Sequence, residues 1–209
     1  MKKLCTLAIT LLIALAIGPA ALRADDANPA ASTFIQSLGT QAINELTGSA
    51  VPPAERQARF RRLLDSNFDM AAISKFVLGR YWRTATDPER SDFQKLFEEY
   101  LVQSYSVRFG EYSGERFEVA GSTRDEDGIS VVHSKIDRTA AEDVRIDWRV
   151  RPAGSSFVIV DIIVEGVSMA VTQRSEFASV IQSKGGTVKG LIDALRAKTT
   201  QSANAGTAQ

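Results

Sequence analysis

A single α+β domain, built as a four-stranded antiparallel curved sheet covered by several helices, is the fold class this sequence predicts. Apolar residues recur at helical spacing between positions 28 and 110, alternate with a period of two between 117 and 164, and return to helical spacing beyond 168. The segments joining the alternating runs are too short for crossover helices, so neighbouring strands must run antiparallel. Helices grouped before and after a block of strands make the α+β order, not the alternation of a parallel sheet.

The first helix is expected from Asn28 to Thr47, where Phe34, Ile35, Leu38, Ala42, Ile43 and Leu46 share a face, Asn28 can cap and Pro29 suits the first turn. Gly48 to Pro53 breaks it. Arg56, Arg59, Arg61 and Arg62 follow, with Phe60, Leu63 and Leu64 on the other side, which reads as a helix with a solvated basic face. Phe68 to Leu78 is a further amphipathic segment stopped by Gly79, after which Arg80, Tyr81, Trp82 and Arg83 crowd two aromatics into a short turn. Thr86 and Glu89 have the spacing of a capping box. They open the longest helix, whose Phe93, Leu96, Phe97, Tyr100, Leu101, Ser104 and Tyr105 fall on one wide stripe.

Strands are expected at Phe117 to Gly121, Ile129 to Ile136, Val144 to Val150 and Phe157 to Val164. In the third, Val144, Ile146, Trp148 and Val150 alternate with Arg145, Asp147 and Arg149, giving one apolar and one wet face. Glu165 to Met169 turns the chain into helices again, Ser168 to Lys184 and Thr187 to Lys198, parted by Gly185 and Gly186. The small polar tail, Thr199 to Gln209, reads as disordered.

Residues 1 to 24 have the pattern of an export signal: Lys2 and Lys3, an apolar run from Leu4 to Ile17 too short to span a bilayer, then Gly18, Pro19 and a small-residue site at Ala24, with cleavage after Ala21 as the alternative. A periplasmic location is the expectation. Losing Lys2, Lys3 and Arg23 takes 25 basic residues to 22 against 25 acidic, a net of −3, which argues against a nucleic-acid partner. Cys5, the only cysteine, leaves with the signal, and it lies too near the start to be a lipoprotein acceptor. Disulfides, thiolate metal sites and a thiol nucleophile go with it. Residues 25 to 198 are then one domain with an ordinary apolar core.

No motif carries chemistry. Gly166 to Ala170 approaches the Gly-x-Ser-x-Gly elbow of hydrolases, but the only histidine, His133, precedes Ser168 and sits on a hairpin strand, and an antiparallel meander is the wrong fold for that elbow. His133 by itself supplies neither a metal site nor a base for a nucleophile. Gly185, Gly186 and Thr187 make a helix break, not a phosphate loop. Asp125, Glu126 and Asp127 cluster in a turn that could bind calcium weakly, but a solvated hairpin tip is the better reading. On spacing alone the aromatic stripe is ordinary core.

Two stretches go further. Phe68 to Thr84, containing Phe76, Val77, Leu78, Gly79, Arg80, Tyr81, Trp82 and Arg83, and Phe157 to Ile181, containing Val160 to Met169 and Gln173 to Phe177, resemble the signature segments of the MlaC, or toluene-tolerance, family. Pro88 to Arg90, Phe97 to Leu101, Asp147 to Arg149 and Gly190 to Ile192 match in order and spacing, so the resemblance runs from about Phe34 to Arg196. It implies an NTF2-like cup enclosing an apolar cavity, in a monomeric, non-enzymatic shuttle without cofactor. Its cargo would be phospholipid and its partners an inner-membrane ABC transporter complex and an outer-membrane lipoprotein–porin complex, with only transient membrane proximity. A hopanoid-associated relative leaves other lipids open as cargo, and an interaction module with a solid core is the second reading. The lining is expected from Phe76, Tyr81, Trp82, Phe97, Tyr100, Leu101 and Tyr105 on the helices, facing Ile146, Trp148, Ile162, Val164, Val167 and Met169 on the sheet and the turn after it.

Overall fold

The computed structural model describes residues 27–206 apart from 49, 139 and 140; the expected export signal and the last three residues of the tail lie outside the described residues. Six helices, α1 (Pro29–Leu46), α2 (Pro53–Asn67), α3 (Met70–Leu78), α4 (Asp87–Ser106), α5 (Met169–Ser183) and α6 (Val188–Gly206), flank five strands, β1 (Arg116–Arg124), β2 (Ser130–Asp137), β3 (Val144–Ala153), β4 (Ser156–Val164) and β5 (Val167–Ser168). The strands form one antiparallel meander in sequence order. The fifth strand, absent from the sequence reading, is two residues long. It pairs Val167 with Val164 across Glu165 (φ 48°) and Gly166 (φ 80°), the successive left-handed residues of a tight hairpin.

The capping predictions hold in detail. Ala31 N–H donates to Asn28 Oδ1 (3.2 Å), and the same asparagine donates to Ser130 Oγ (2.8 Å), fixing the start of α1 to β2. Thr86 accepts from Glu89 N–H while Glu89 accepts from Thr86 N–H (2.9 Å), the reciprocal box. The basic face of α2 is a correction. Arg56 is buried, its guanidinium donating to the carbonyl of Leu46 at the end of α1 and to those of Gly48 and Val51 in the loop after it, and Arg59 donates to the Glu45 carbonyl. Arg61 spans to α4, with Nη1 at 2.6 Å from Glu98 and Nη2 at 2.5 Å from Glu99. Orphan carbonyls at a helix end draw guanidinium donors inward, a demand that a helix read in isolation does not display.

The tail is the second correction. Helix α6 passes Lys198 and continues to Gly206, because Thr199 lies one turn beyond Leu195 on the same buried face and no Gly or Pro intervenes. The Thr199 hydroxyl donates back to the Leu195 carbonyl (3.0 Å), so its polarity costs the interior nothing.

Packing divides into two cores. In one, α1 and α2 cover one end of the inner sheet face: Ala31, Ile35, Leu38, Leu46 and Leu63 enclose Val132, Val150 and Ile159. In the other, α3, α4, α5 and α6 pack on one another around Phe93, Phe97, Phe177, Ile181 and Leu191. Phe93 and Phe97 stack (5.7 Å) and both meet Phe177 edge-on (5.8 and 5.5 Å). Phe68, between α2 and α3, touches both cores. It is pinned by a bridge to Ile159, by the Asp69 N–H donating to the Ile159 carbonyl (2.9 Å), and by an ion pair of Asp69 with Arg151.

Two outcomes follow from this packing. Gly39 in α1 faces the Phe117 ring so closely that a Cβ there would overlap it. Gly39→Ala, which would add helix propensity at an open site, should instead lower stability by about 1–3 kcal/mol in urea titrations; a gain would show that the ring moves freely. Partial burial works against ionising Asp69, yet Arg151 and the Ala72 N–H hold its carboxyl below the usual value. Such a group stabilises the fold above the unfolded carboxylate pKa of 3.8, and that contribution is lost as pH falls through the lower folded value. Acid unfolding followed by tryptophan fluorescence should therefore lose part of its slope below about pH 4 in Asp69→Asn. An unchanged acid limb would detach Asp69 from it.

Candidate functional site

The register places Phe117, Val119, Ser122, Ser130, Val132, Ser134, Ile136, Val144, Ile146, Trp148, Val150, Ile159, Ile162 and Val164 on the inner sheet face. At one end that face is sealed, with Val132, Val150 and Ile159 at 0% exposure under α1 and α2. Toward the other end Ile146, Trp148, Ile162 and Val164 stay only half-buried. Helix α4 packs chiefly on α6, α2 and α3, and α1 spends its contacts on β1 and β2, so this part of the floor lacks a full roof. Where the sequence reading expects an enclosed cavity, the structure has half-buried apolar residues, with Trp148 and Ile162 packed against the edge of the core beneath α1 and α2. Two open hollows lie elsewhere, on the outer polar faces of α6 and α1.

Trp148 is the centre of the floor. Its Nε1–H donates to Ser134 Oγ (2.8 Å), whose own hydroxyl donates to the Ile146 carbonyl (2.9 Å), and Phe117 meets the indole edge-on at 6.3 Å. The indole N–H is satisfied inside the sheet, so Trp148 adds only hydrocarbon to the floor. Sequence reasoning did not single out Ser134, Phe117 or Val119. Two-residue alternation in β1 and β2 was the available signal, since it puts all three on the face opposite His133 and Lys135.

The expected lining residues separate into groups. Ile146, Trp148, Ile162 and Val164 share the floor, with Met169 half-buried where α5 begins. Leu101 and Tyr105 lie half-buried one turn apart on α4; burial pushes the Tyr105 phenol above its ordinary value, and the Arg108 guanidinium sits 5.9 Å from its ring. Phe97 is 2% exposed inside the helical core, closed by Phe93 and Phe177, and Tyr100 packs there against Phe177 and Lys198. Tyr81 and Trp82 are half-buried against that core with Arg80 and Arg90 over their rings. Phe76 (42% exposed) and Val167 (53%) stand at the surface. Phe76 leaves the interior because Ile73, Ser74, Val77 and Leu78 take the buried side of α3, while β5 is an edge strand that leaves Val167 uncovered.

Two constellations mimic catalysis. Ser168 is the N-cap of α5: Val171 N–H donates to its Oγ (3.0 Å), and its hydroxyl donates to buried Asp161 (2.6 Å), which also accepts from Ala170 N–H. On the wet sheet face His133 is a strand histidine satisfied at both ring nitrogens, with Asp147 Oδ1 at 2.8 Å from Nδ1 and Thr123 Oγ1 at 2.9 Å from Nε2. Nucleophile, base and orienting acid stand in line, on an open face whose β1–β3 residues are committed to the sheet ladder, so the donors that an oxyanion needs are spent. At the hairpin tip, Asp125 is taken by its own turn and by Arg149 (2.7 Å).

Residues 36–197 match the family model described as MlaC protein. The chain belongs to the MlaC family. Toluene tolerance protein ttg2D of Pseudomonas putida is 25% identical to it over 162 residues, which cover 77% of this chain and 75% of that protein. Among solved structures, a phospholipid-binding protein from Ralstonia solanacearum, in complex with a phospholipid, superposes with a TM-score of 0.72 at 22% identity, covering 83% of this chain and 98% of that one. The likeness at that identity is one of fold.

Ser168→Ala should cost about 1 kcal/mol by loss of the α5 cap and leave short-chain ester turnover at the blank rate. Turnover above blank in the parent that disappears in the variant would overturn the structural role.

Proposed function

We propose that this protein is a periplasmic phospholipid carrier that performs no chemistry on its cargo. The acyl chains lie on the floor formed by Ile146, Trp148, Ile162 and Val164, between the sheet and α4, with the headgroup at the open side. The observation that carries the reading is that these large apolar residues remain half-buried while Val132, Val150 and Ile159 on the same face are sealed completely. In a solid domain they would be core. Membership of the MlaC family and the phospholipid-bound structural relative support the same cargo.

The energetics explain why a carrier is needed. Two acyl chains of about 16 carbons present roughly 30 methylenes, and at ~0.8 kcal/mol each their exposure to water costs on the order of 25 kcal/mol. Release into water is therefore far slower than any useful transport. Transfer must happen against a surface that receives the chains as they leave. We place the donor and acceptor at an inner-membrane ABC transporter complex and an outer-membrane lipoprotein–porin complex, with the protein moving between them as a monomer and needing no cofactor.

Mass spectrometry of organic extracts from the purified protein should recover phospholipid near one equivalent. Trp148→Asp and Tyr105→Asp should each lower that occupancy severalfold, while Val131→Asp, on the opposite sheet face, should not. If Trp148→Asp melts with the parent and still carries full lipid, the floor is not the site, and a parent that never carries lipid removes the carrier reading altogether.

A further inference from the structure

Three of the four large hydrophobic side chains that stand exposed among the described residues, Phe76, Val167 and Val171, gather along one edge of the helical lobe, where α3 packs beside α5 and β5 leads into it. Arg174 joins them. Its guanidinium lies 5.2 Å from the Phe76 ring centre and packs against Gly79, where a Cβ would come within 2.9 Å of Nε. Val171 is one turn before Arg174 on the same flank of α5.

The charge along this edge has one sign. Met70 to Arg83 and Val167 to Ser175 contain Lys75, Arg80, Arg83 and Arg174 and no acidic residue, in a chain with 25 acidic residues. All four cations are exposed, and among the described residues none of them forms an ion pair, whereas Arg61, Arg116, Arg145, Arg149 and Arg151 all do. Arg80 and Arg83 are three apart in a 3-10 turn, Gly79–Arg83, whose geometry stacks them on one side. Of the acids that flank these two ranges, Asp69 is paired with Arg151 and Glu165 with Arg145, and Glu176 accepts a hydrogen bond from Gln173.

We propose that this edge docks the protein on an anionic phospholipid bilayer. Phe76, Val167 and Val171 enter the boundary between headgroups and acyl chains, and Lys75, Arg80, Arg83 and Arg174 meet the phosphates around them. Protruding apolar tips ringed by unpaired cations are the chemistry of interfacial anchors, and guanidinium forks suit phosphate oxygens. An acidic protein would answer the cations, but a packed protein interface is built on anchors that fill pockets. Separate tips are better matched by fluid hydrocarbon. The proposal does not depend on the cargo reading, because a protein that docked here and carried nothing would satisfy it.

Flotation with vesicles tests it. The purified protein should float with phosphatidylcholine vesicles that contain phosphatidylglycerol, much less with phosphatidylcholine alone, and the association should weaken at high salt. Neutralising a cation should weaken partitioning about fivefold, so the double variant Arg80→Gln, Arg83→Gln should lose on the order of 25-fold, with its melting curve and extracted lipid unchanged. Val171→Ser should weaken binding with the salt dependence intact. Equal binding to both vesicle types, or parent-like binding by the double variant, would overturn the proposal. Binding to neither would also overturn it and assign the four cations to an acidic protein surface.

Discussion

The inner face of the sheet is larger than the helices laid against it. Helices α1 and α2 have enough apolar surface to seal one end, and there the burial is complete. The remaining four helices spend their apolar surface on one another, with Phe93, Phe97 and Phe177 forming a closed aromatic cluster. Ile146, Trp148, Ile162 and Val164 are left only half-buried, with Trp148 and Ile162 at the edge of the sealed core. The two cores are held in this relation by Phe68 with the Asp69–Arg151 pair on one side and by Arg61 reaching Glu98 and Glu99 on the other. These tethers link the two cores at their edges. Each apolar Å² left open forgoes roughly 25 cal/mol of burial, so an open floor is a standing cost that the sealed end must offset.

Much of this was legible in the sequence because local physics wrote it. Asn28 and the Thr86–Glu89 box mark helix starts through short-range hydrogen bonds, and period-two alternation put Ile146 and Trp148 on one face of β3 before any partner strand was known. What stayed hidden depends on contacts made far along the chain. Arg56 looked solvated because its acceptors belong to the end of another helix and the loop after it. Phe97 and Phe76 were both nominated for the lining by their aromatic character, yet Phe177 encloses one while the other falls on the open flank of α3. Periodicity says which face a residue occupies. It does not say whether what lies opposite is packed or hollow, and the site depends on that distinction.

The same limit applies to residues of catalytic type. Ser168 and His133 each have hydrogen-bond partners that would look like activation elsewhere. In this fold the serine closes a helix end over a buried aspartate, and the histidine bridges neighbouring strands on a wet face lined with ion pairs such as Arg149–Asp125 and Arg145–Glu165. A nucleophile needs a nearby place for developing negative charge, with donors left unspent to receive it. Helix capping and sheet pairing spend those donors. Ser168 and His133 are therefore structural residues in this fold.

On the proposed reading, hydrocarbon completes what the helices leave unfinished. Cargo then supplies part of the core, so occupancy and fold stability are linked, and the filled protein is the more stable form by RT ln(1 + [L]/Kd). Linkage of this kind runs both ways: whatever loosens the relation of the two cores also loosens the grip on the lipid. Phe68 and the tethers beside it are where such loosening would act, since Phe68 packs against both cores at once. A partner that engaged α3 or the turn after it would press directly on that joint, because α3 begins two residues beyond Phe68. Contact with a receiving surface and release of cargo can thus be one event, without any step that exposes acyl chains to water.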